Sequence, residues 1–453
     1  MFIDTFYSRF DEYAGRDAII WEDEVYDYAW LSKQIDRYAN DLERHRVEPQ
    51  TVACLEGDFT PSSVALFLAL IERGVILVPL TNQGGKHGPF LDIAQVEAMI
   101  SIGADDSITV ERTGRKATHG IYSELRRRKH PGLVLFSSGS TGAPKAAVHD
   151  MVPLLRKFET RRHAYRSISF LLYDHIGGIN TMLHTLSNGG CLVTVRGRTP
   201  DEVLRTIATH RVELLPTSPT FMNLILLSEA HEHYDLSSLK IVTYGTEPMP
   251  PTTLRRFHEL FPEITLQQTY GLSELGILRS KSKSSDSLWV RIGGEGFEIR
   301  VVDGILQIKA QSAMVGYLNA PSPFTEDGWF NTNDRVEVDG DHFRILGRDS
   351  ELINVGGEKV YPTEVESAIL EMDNVADVVV YKEPSAIVGN IVCARVALEH
   401  PEDPRQFSRR LKAFCATKLE RFKVPSRVVI VEQPQHNERF KRIRGGDQDP
   451  EQG

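Results

Sequence analysis

Short apolar runs closed by Gly or Pro alternate with helical periods through the first 300 residues of the chain. TVACLEG, PSSVALFLALIERG and VILVPL follow one another over 51–80, and RVELLPTSP, FMNLILLSEAH and LKIVTYG over 211–245. Each set predicts strand, helix, strand, and the repetition predicts parallel sheets covered by helices. From about residue 296 the pattern changes to period-two strands separated by turns, in GFEIRVVDGILQIKA and DRVEVDGDHFRILG, which predicts a small antiparallel subdomain. After GRDSE at 347–351 a further unit begins, with the helix YPTEVESAILEM, the strand ADVVVYK and the amphipathic PRQFSRRLKAFCATKLE. The fold class is therefore α/β: a large N-terminal domain of parallel and mixed sheets over 1–348, and a small α+β domain over 349–444. The last nine residues, GGDQDPEQG at 445–453, lack apolar content and are expected to be a disordered tail.

Composition changes this picture only by exclusion. With 41% apolar and 25% charged residues in 453, the chain is of ordinary globular make-up and long enough for two or three cores. A formal charge of −10 offers no basic surface for nucleic acid or for an anionic membrane. The most apolar stretch, VALFLALIERGVILVPL at 64–80, carries Glu72 and Arg73 and falls short of a membrane span. Cys54, Cys191, Cys393 and Cys415 lie far apart without metal or redox spacing and are read as reduced core thiols. The start MFIDTFYSRFDEYAGRD is acidic where a signal peptide is basic, so a cytoplasmic protein is expected.

Three stretches carry chemistry. SSGSTGAPK at 137–145 follows the apolar LVLF and lacks the spacing of the common NTPase loop, since only Ala143 and Pro144 separate Gly142 from Lys145. Its glycines allow backbone N–H groups to approach phosphate, its hydroxyls add donors and Lys145 adds a charge; a solvated Ser/Gly loop is the plain alternative. In TYGLSELG at 269–276, Tyr270 could stack a base and Glu274 hold Mg²⁺, or Ser273 and Glu274 could simply open a helix. In WFNTNDRVEVDGDHFRILGRDSELINVGGEKVYPTEVE at 329–366, Asp334 and Arg348 flank a hairpin and suit a ribose with its phosphate, or an ordinary ion pair.

Together these stretches resemble the adenylate-forming superfamily of acyl-CoA synthetases, adenylation domains and luciferases. YDHIGGINTML at 173–183, YGTEPM at 244–249 and LERFKVPSRVVIVEQ at 419–433 agree with it in order and spacing, and the resemblance runs from about residue 20 to 444. It implies ATP-dependent activation of a carboxylic acid to an acyl-adenylate with release of pyrophosphate, then transfer to a thiol. The phosphate loop would be Ser138, Gly139, Ser140, Thr141, Gly142 and Lys145, with Thr141 and Lys145 acting on the leaving phosphates. Gly245, Thr246 and Glu247 would face adenine, Tyr270 would stack on it, and Gly271 and Ser273 would complete the nucleotide site. Asp334 would bind the ribose hydroxyls, Arg348 the ribose end, and Glu274 Mg²⁺.

HNERFKRIR at 436–444 brings Lys441 to the position of the family's catalytic lysine, although Phe440 and Arg442 stand where the family usually has glycine and an apolar residue. A solvated basic tail is the alternative reading. TND at 332–334 replaces the usual TGD, which the turn can tolerate because Asn accepts positive φ. The resemblance places Asp174, His175, Gly178, Tyr244 and Gly271 around the acyl group, with Tyr244 shortening the cavity, and implies a small acid. Asp174 would pair a substrate amine or bond a neighbouring side chain. Asp349 would be the hinge of a mobile C-terminal domain, and Gly356, Gly357, Glu358 and Lys359 a loop lining the path of the thiol. Coenzyme A is the expected acceptor; a carrier-protein phosphopantetheine, with an acyl carrier protein as partner, or an amine is the alternative, and a catalytically silent nucleotide-binding homologue is a third.

Overall fold

The computed structural model describes residues 2–81, 87–138, 144–432, 436–437 and 440–443. The expected tail, 445–453, lies outside them. Two seven-stranded sheets form the body of the N-terminal part. In one, Val52–Glu56, Ile76–Leu80, Ala98–Ile102 and Gly132–Ser138 run parallel, and Pro144–Asp150, Gly316–Tyr317 and Ile108–Arg112 join antiparallel toward the edges. In the other, six strands from Thr265–Gln268 to Asp17–Trp21 are parallel and Glu24–Asp27 closes the edge. Both predicted strand–helix–strand sets are present, as Val52–Glu56, Pro61–Glu72, Ile76–Leu80 and as Leu214–Thr217, Pro219–Ser228, Ile241–Tyr244.

The apolar stretch that falls short of a membrane span is explained by this packing. Thr60 caps the helix by accepting from the Ser63 N–H, and Pro61 occupies its first turn. The helix is apolar on all sides and buried from Pro61 to Ile71, then Gly74 turns the chain at φ 78° into the next buried strand. Among the described residues, no helix is long and apolar enough to cross a membrane. All four cysteines are free and buried.

The antiparallel subdomain begins earlier than its sequence pattern suggests. Its six strands start at Arg279–Ser282 and Trp289–Gly293, where Ser, Lys and Arg hide the alternation, and end at His342–Arg348. Asp349–Glu351 then forms one turn of 3-10 helix leading into the C-terminal unit. There Val375–Ser385 and Gly389–Leu398 form a long hairpin covered by Pro362–Ile369 and Pro404–Lys418. Val378, Val380, Val392, Ala394, Phe407, Leu411 and Cys415 form its own core.

The two parts touch through polar contacts. Thr252 Oγ1 and Ser367 Oγ are 2.9 Å apart, Asn223 Nδ2 donates to the Ala376 carbonyl at 3.1 Å, and Arg255 lies 3.4 Å from Glu371. The segment 440–443 returns between them. The Arg442 side chain is 3% exposed and lies 2.9 Å from fully buried Glu366 and 3.6 Å from Asp377, while its backbone N–H donates to Glu247 Oε2 at 3.2 Å. Burial pushes the Asp377 carboxyl up, and Arg442 pulls it down. Arg442 is thus no solvated tail residue. Replacing it with methionine removes one partner of a buried ion pair, which is expected to destabilise the C-terminal unit by about 3–5 kcal/mol. Urea unfolding followed by hydrogen exchange in 362–398 measures this, and a loss below about 1 kcal/mol contradicts it.

Candidate active site

The strand Pro144–Asp150 is antiparallel to Gly132–Ser138, with Ser137 opposite Lys145. Strand alternation puts Lys145, Ala147 and His149 on one face. His149 is fully buried, and burial lowers its pKa, so the ring is neutral and its Nε2 lies 2.5 Å from the Ser273 carbonyl, placed to donate to it. That bond fixes the segment Gly271–Ile277 against the strand. The segment is a hairpin, with Gly271 paired to Ile277 and Leu272 to Gly276, and not a helix start. Gly271 is required there, since a Cβ would meet Ile277 Cδ1 at 2.4 Å and the Gly276 carbonyl at 2.9 Å.

The hairpin tip presents Glu274, whose Oε1 accepts from the Tyr317 hydroxyl at 2.6 Å. Lys145 Nζ lies 5.7 Å from the centre of the Tyr317 ring. Burial and the Glu274 charge raise the Tyr317 phenol, which holds it as a donor. Asn319 joins the same corner, accepting from the Ala146 N–H at 3.0 Å and donating to the Pro144 carbonyl at 2.8 Å. Tyr317, Asn319 and His149 are absent from the sequence-derived set. Alternation along PKAAVHD could have found His149; nothing in the spacing marks Tyr317, 43 residues from its partner. Gly139, Ser140, Thr141 and Gly142, and the side chain of Ser138, lie outside what the structure describes.

Tyr270 and Asp334 are both buried, and the phenol donates to Asp334 Oδ2 at 2.5 Å. Arg348 is the register partner of Asp334 across the hairpin, with Nε 3.7 Å from Oδ1. Burial raises the Asp334 carboxyl, opposed by Arg348 and by the Tyr270 hydrogen bond. Asn333 takes φ 58°, the left-handed conformation that TND requires. The ion-pair and ribose readings of Asp334 and Arg348 are therefore compatible.

At the end of Ile241–Tyr244 the chain turns sharply. A Cβ on Gly245 would lie 2.6 Å from Thr269 Oγ1 and 2.9 Å from the Thr269 carbonyl, so only glycine admits this approach of two strand ends. Thr246 sits at φ 74°, an uncommon and strained conformation for a β-branched residue. Two expectations change here. The Glu247 carboxylate is committed to the Thr220 N–H at 2.9 Å, the Thr220 hydroxyl at 2.5 Å and the Arg442 N–H, which leaves only its backbone to face a base. Tyr244 is 1% exposed and belongs to the core of the second sheet, because strand alternation turns it inward.

The cleft itself is lined by Phe170, Leu171, Leu172, His175, Thr246, Phe440 and Lys441. His175 caps the helix Ile176–Ser187, its Nδ1 accepting from the Gly177 N–H at 3.1 Å. Asp174 is buried beside it. Gly178 serves packing, since a Cβ would lie 2.2 Å from the Leu172 carbonyl. Lys441 enters at the end of a tight turn, in which the Asn437 N–H donates to the Lys441 carbonyl at 3.0 Å and the Lys441 N–H to Asn437 Oδ1 at 3.1 Å. Gly356, Gly357, Glu358 and Lys359 are exposed. The Gly356 N–H donates to the Val388 carbonyl and the Gly357 N–H to Asn354 Oδ1, both within the C-terminal unit. Asp349 accepts from Arg335 at 2.6 and 3.0 Å.

This arrangement, a lysine brought from a small C-terminal unit against His175 and the turn at Gly245 and Thr246, is that of a nucleotide-dependent ligase. The chain belongs to the AMP-binding enzyme family: the family model matches residues 6–305, and the model of the AMP-binding enzyme C-terminal domain matches 364–441. It is thereby a member of the adenylate-forming superfamily. It is 23% identical over 474 residues to the indoleacetate–CoA ligase of Aromatoleum aromaticum, covering 92% of each chain. It is 24% identical over 447 residues to the 2-succinylbenzoate–CoA ligase of Listeria monocytogenes, again covering 92% of each. Among solved structures, an anthranilate CoA ligase in complex with anthranoyl-AMP superposes with a TM-score of 0.81 at 18% identity, over 95% of this chain and 93% of that one. The o-succinylbenzoate CoA synthetase from Bacillus subtilis, in complex with its acyl-adenylate intermediate, gives 0.77 at 20%, over 98% of both.

The residue before Lys441 carries a testable consequence. Phe440 adopts φ 50°, and its ring lies 5.2 Å from Phe170, 5.1 Å from Phe221 and is stacked on His436 at 5.1 Å. Its carbonyl accepts from the Ser218 hydroxyl at 3.0 Å. The aromatic seat therefore holds a side chain in a backbone conformation that costs about 1–2 kcal/mol for any residue but glycine. Phe440→Ala loses the seat and keeps the strain, whereas Phe440→Gly loses both. Hydrogen exchange at Lys441 and Arg442 is expected to show the glycine variant better docked than the alanine variant by about 1 kcal/mol; equal exchange contradicts the strained assignment.

Proposed function

We propose that the protein activates a small carboxylic acid with ATP to an acyl-adenylate, releasing pyrophosphate, and then transfers the acyl group to the thiol of coenzyme A. It is an AMP-forming acid–thiol ligase. The observation that carries this reading is the meeting of Lys441 with His175 and Thr246 in one cleft. In the first step a carboxylate oxygen attacks the α-phosphorus and the bond to the pyrophosphate oxygen breaks. Charge grows on attacking, transferring and leaving oxygens, so cations fixed around them lower the barrier. Lys441 would serve the carboxylate and α-phosphate, and Lys145 with Thr141 and the Ser138, Gly139, Ser140 and Gly142 backbone the departing phosphates. The Gly245 and Thr246 turn would face adenine beside Tyr270, Gly271 and Ser273. Asp334, oriented by the Tyr270 hydroxyl, would accept from the ribose hydroxyls next to Arg348.

Glu274 is the residue that would hold Mg²⁺, which when bound supplies neutralisation of phosphate charge. Its fit is that of a single carboxylate presented by a hydroxyl partner, since the described residues contain no group of three His, Cys, Asp or Glu placed for a metal. One or two protein ligands with substrate phosphates are what Mg²⁺ commonly takes. His175 and the backbone at Gly178 and Gly271 would border the acyl group, with Asp174 buried beside them. In the second step the thiol attacks the acyl carbonyl and AMP leaves. The relatives named as CoA ligases support coenzyme A over a carrier-protein phosphopantetheine as the acceptor.

The working division is 1–348 and 349–444, with Asp349 as the hinge. Gly356, Gly357, Glu358 and Lys359 are exposed in this arrangement and would reach the thiol path only after the small domain turns. The free buried cysteines suit the cytoplasm. ATP–pyrophosphate exchange over a panel of acids tests adenylation, and adding coenzyme A tests the acceptor. Lys441→Ala is expected to lower exchange by at least roughly 100-fold while leaving ATP binding near its original value, because the lysine acts on charge that develops during transfer. Exchange at the wild-type rate would refute its role. Gly357→Trp adds bulk at a position with nothing within 4 Å. Adenylate is expected to accumulate while thioester formation fails; equal loss of both steps would instead make Gly357 a structural residue.

A further inference from the structure

The cleft that receives Lys441 has little space left in it. Phe170, Leu171, Leu172 and Phe440 form its apolar wall beside His175 and Lys441, and about 10 Å³ within it is free, room for about one water. Those four side chains offer contacts to an apolar group and nothing to a charged one.

Three of the four belong to the N-terminal part and are fixed there. Phe170 is buried, its ring lies 4.2 Å from that of fully buried Phe221, and its carbonyl accepts from Arg198 Nε at 2.7 Å. Leu171 and Leu172 follow it in the same segment. Phe440 instead arrives with the C-terminal segment. Its half-buried ring is tilted 33° to Phe170 at 5.2 Å and set edge-on to Phe221 at 5.1 Å, so one side rests on this aromatic floor while another faces the cleft. The backbone on either side of Lys441 is pinned as well: the Phe440 carbonyl accepts from the Ser218 hydroxyl at 3.0 Å, and the Arg442 N–H donates to Glu247 at 3.2 Å. A backbone shift that withdrew the ring would therefore move Lys441 too.

We propose that Phe440 sets the size limit of the acyl pocket: its ring takes the volume that a phenyl-sized acyl group would need, and the enzyme accepts short, uncharged apolar acids. The identity of the reacting end rests on the adenylation reading; the wall does not. Because one wall comes from the C-terminal segment and the others from the N-terminal part, the pocket is complete only while Lys441 is docked, and size is checked at the step that uses this lysine. Removing the ring leaves an apolar recess bounded by Phe170, Phe221 and the His436 ring stacked on Phe440. An apolar recess of that kind holds a benzene-sized group.

The test takes pairs of short acids with and without a terminal phenyl ring, such as 3-phenylpropanoate and propanoate, in wild type, Phe440→Leu and Phe440→Gly. ATP–pyrophosphate exchange gives kcat/KM, and calorimetry without ATP gives binding. Wild type is expected to favour the unsubstituted acid of each pair. The ratio of phenyl to unsubstituted acid is expected to rise roughly 10-fold in Phe440→Leu and at least roughly 100-fold in Phe440→Gly, mainly through the KM of the larger acid, since a methylene-sized change in an apolar pocket is worth roughly 10- to 200-fold. If Phe440 served only to dock Lys441, both acids of a pair would lose rate alike; an unchanged ratio overturns the proposal, as does a wild type that uses the phenyl acids equally well. Absence of exchange across the whole panel in every variant would refute adenylation. Binding then decides the wall: 3-phenylpropanoate held at least 10-fold more tightly by Phe440→Gly than by wild type keeps it, and equal binding removes it.

Discussion

The buried guanidinium of Arg442 is the interaction on which the geometry of the cleft depends. It pairs with Glu366 and lies near Asp377 inside the C-terminal unit, and its backbone N–H reaches Glu247 on the N-terminal side. One residue thus ties the short segment carrying Lys441 to the small domain and registers that domain against the turn at Gly245 and Thr246. A charge network of this kind adds little stability over an apolar packing of the same volume, but it tolerates only one arrangement of its members. Phe440, seated on Phe170 and Phe221, adds the apolar half of the same docking.

Around that docking the site is built from small conformational commitments. Thr246 holds a positive φ, and Gly245 and Gly271 stand where a Cβ would collide with neighbouring strands. His149 and Tyr317 then hold the Glu274 hairpin from below, one through a backbone carbonyl and one through the carboxylate itself. Such positions are destabilising locally and persist because the large helix-covered sheets over-determine them.

Desolvation marks the surroundings of the helix that begins at His175. One helix, Ile176–Ser187, is capped by His175 at its start and leaves only Asn180 and His184 short of full burial along its length. The relatives are named for acids as different as indoleacetate and 2-succinylbenzoate, so family membership does not by itself name the acid.

Much of this protein is legible in its sequence. Apolar runs punctuated by Gly and Pro specify the strand–helix–strand units locally, and the order of SSGSTGAPK, TYGLSELG and TND points to the family whose models match the chain, because turns and short motifs are properties of a few adjacent residues. What only the tertiary structure decided involves partners far apart in the chain. Glu247 is drawn to Thr220 and the Arg442 backbone, Tyr244 is turned into a core, Tyr317 reaches Glu274, and Lys157 is set between Asn180 and Ile277. Arg442 reads in the sequence as one more charge in a basic tail, and becomes a buried ion-pair partner only after the return of the chain brings it against Glu366. Side-chain direction and desolvation depend on what packs alongside, and neither periodicity nor motif spacing contains that information.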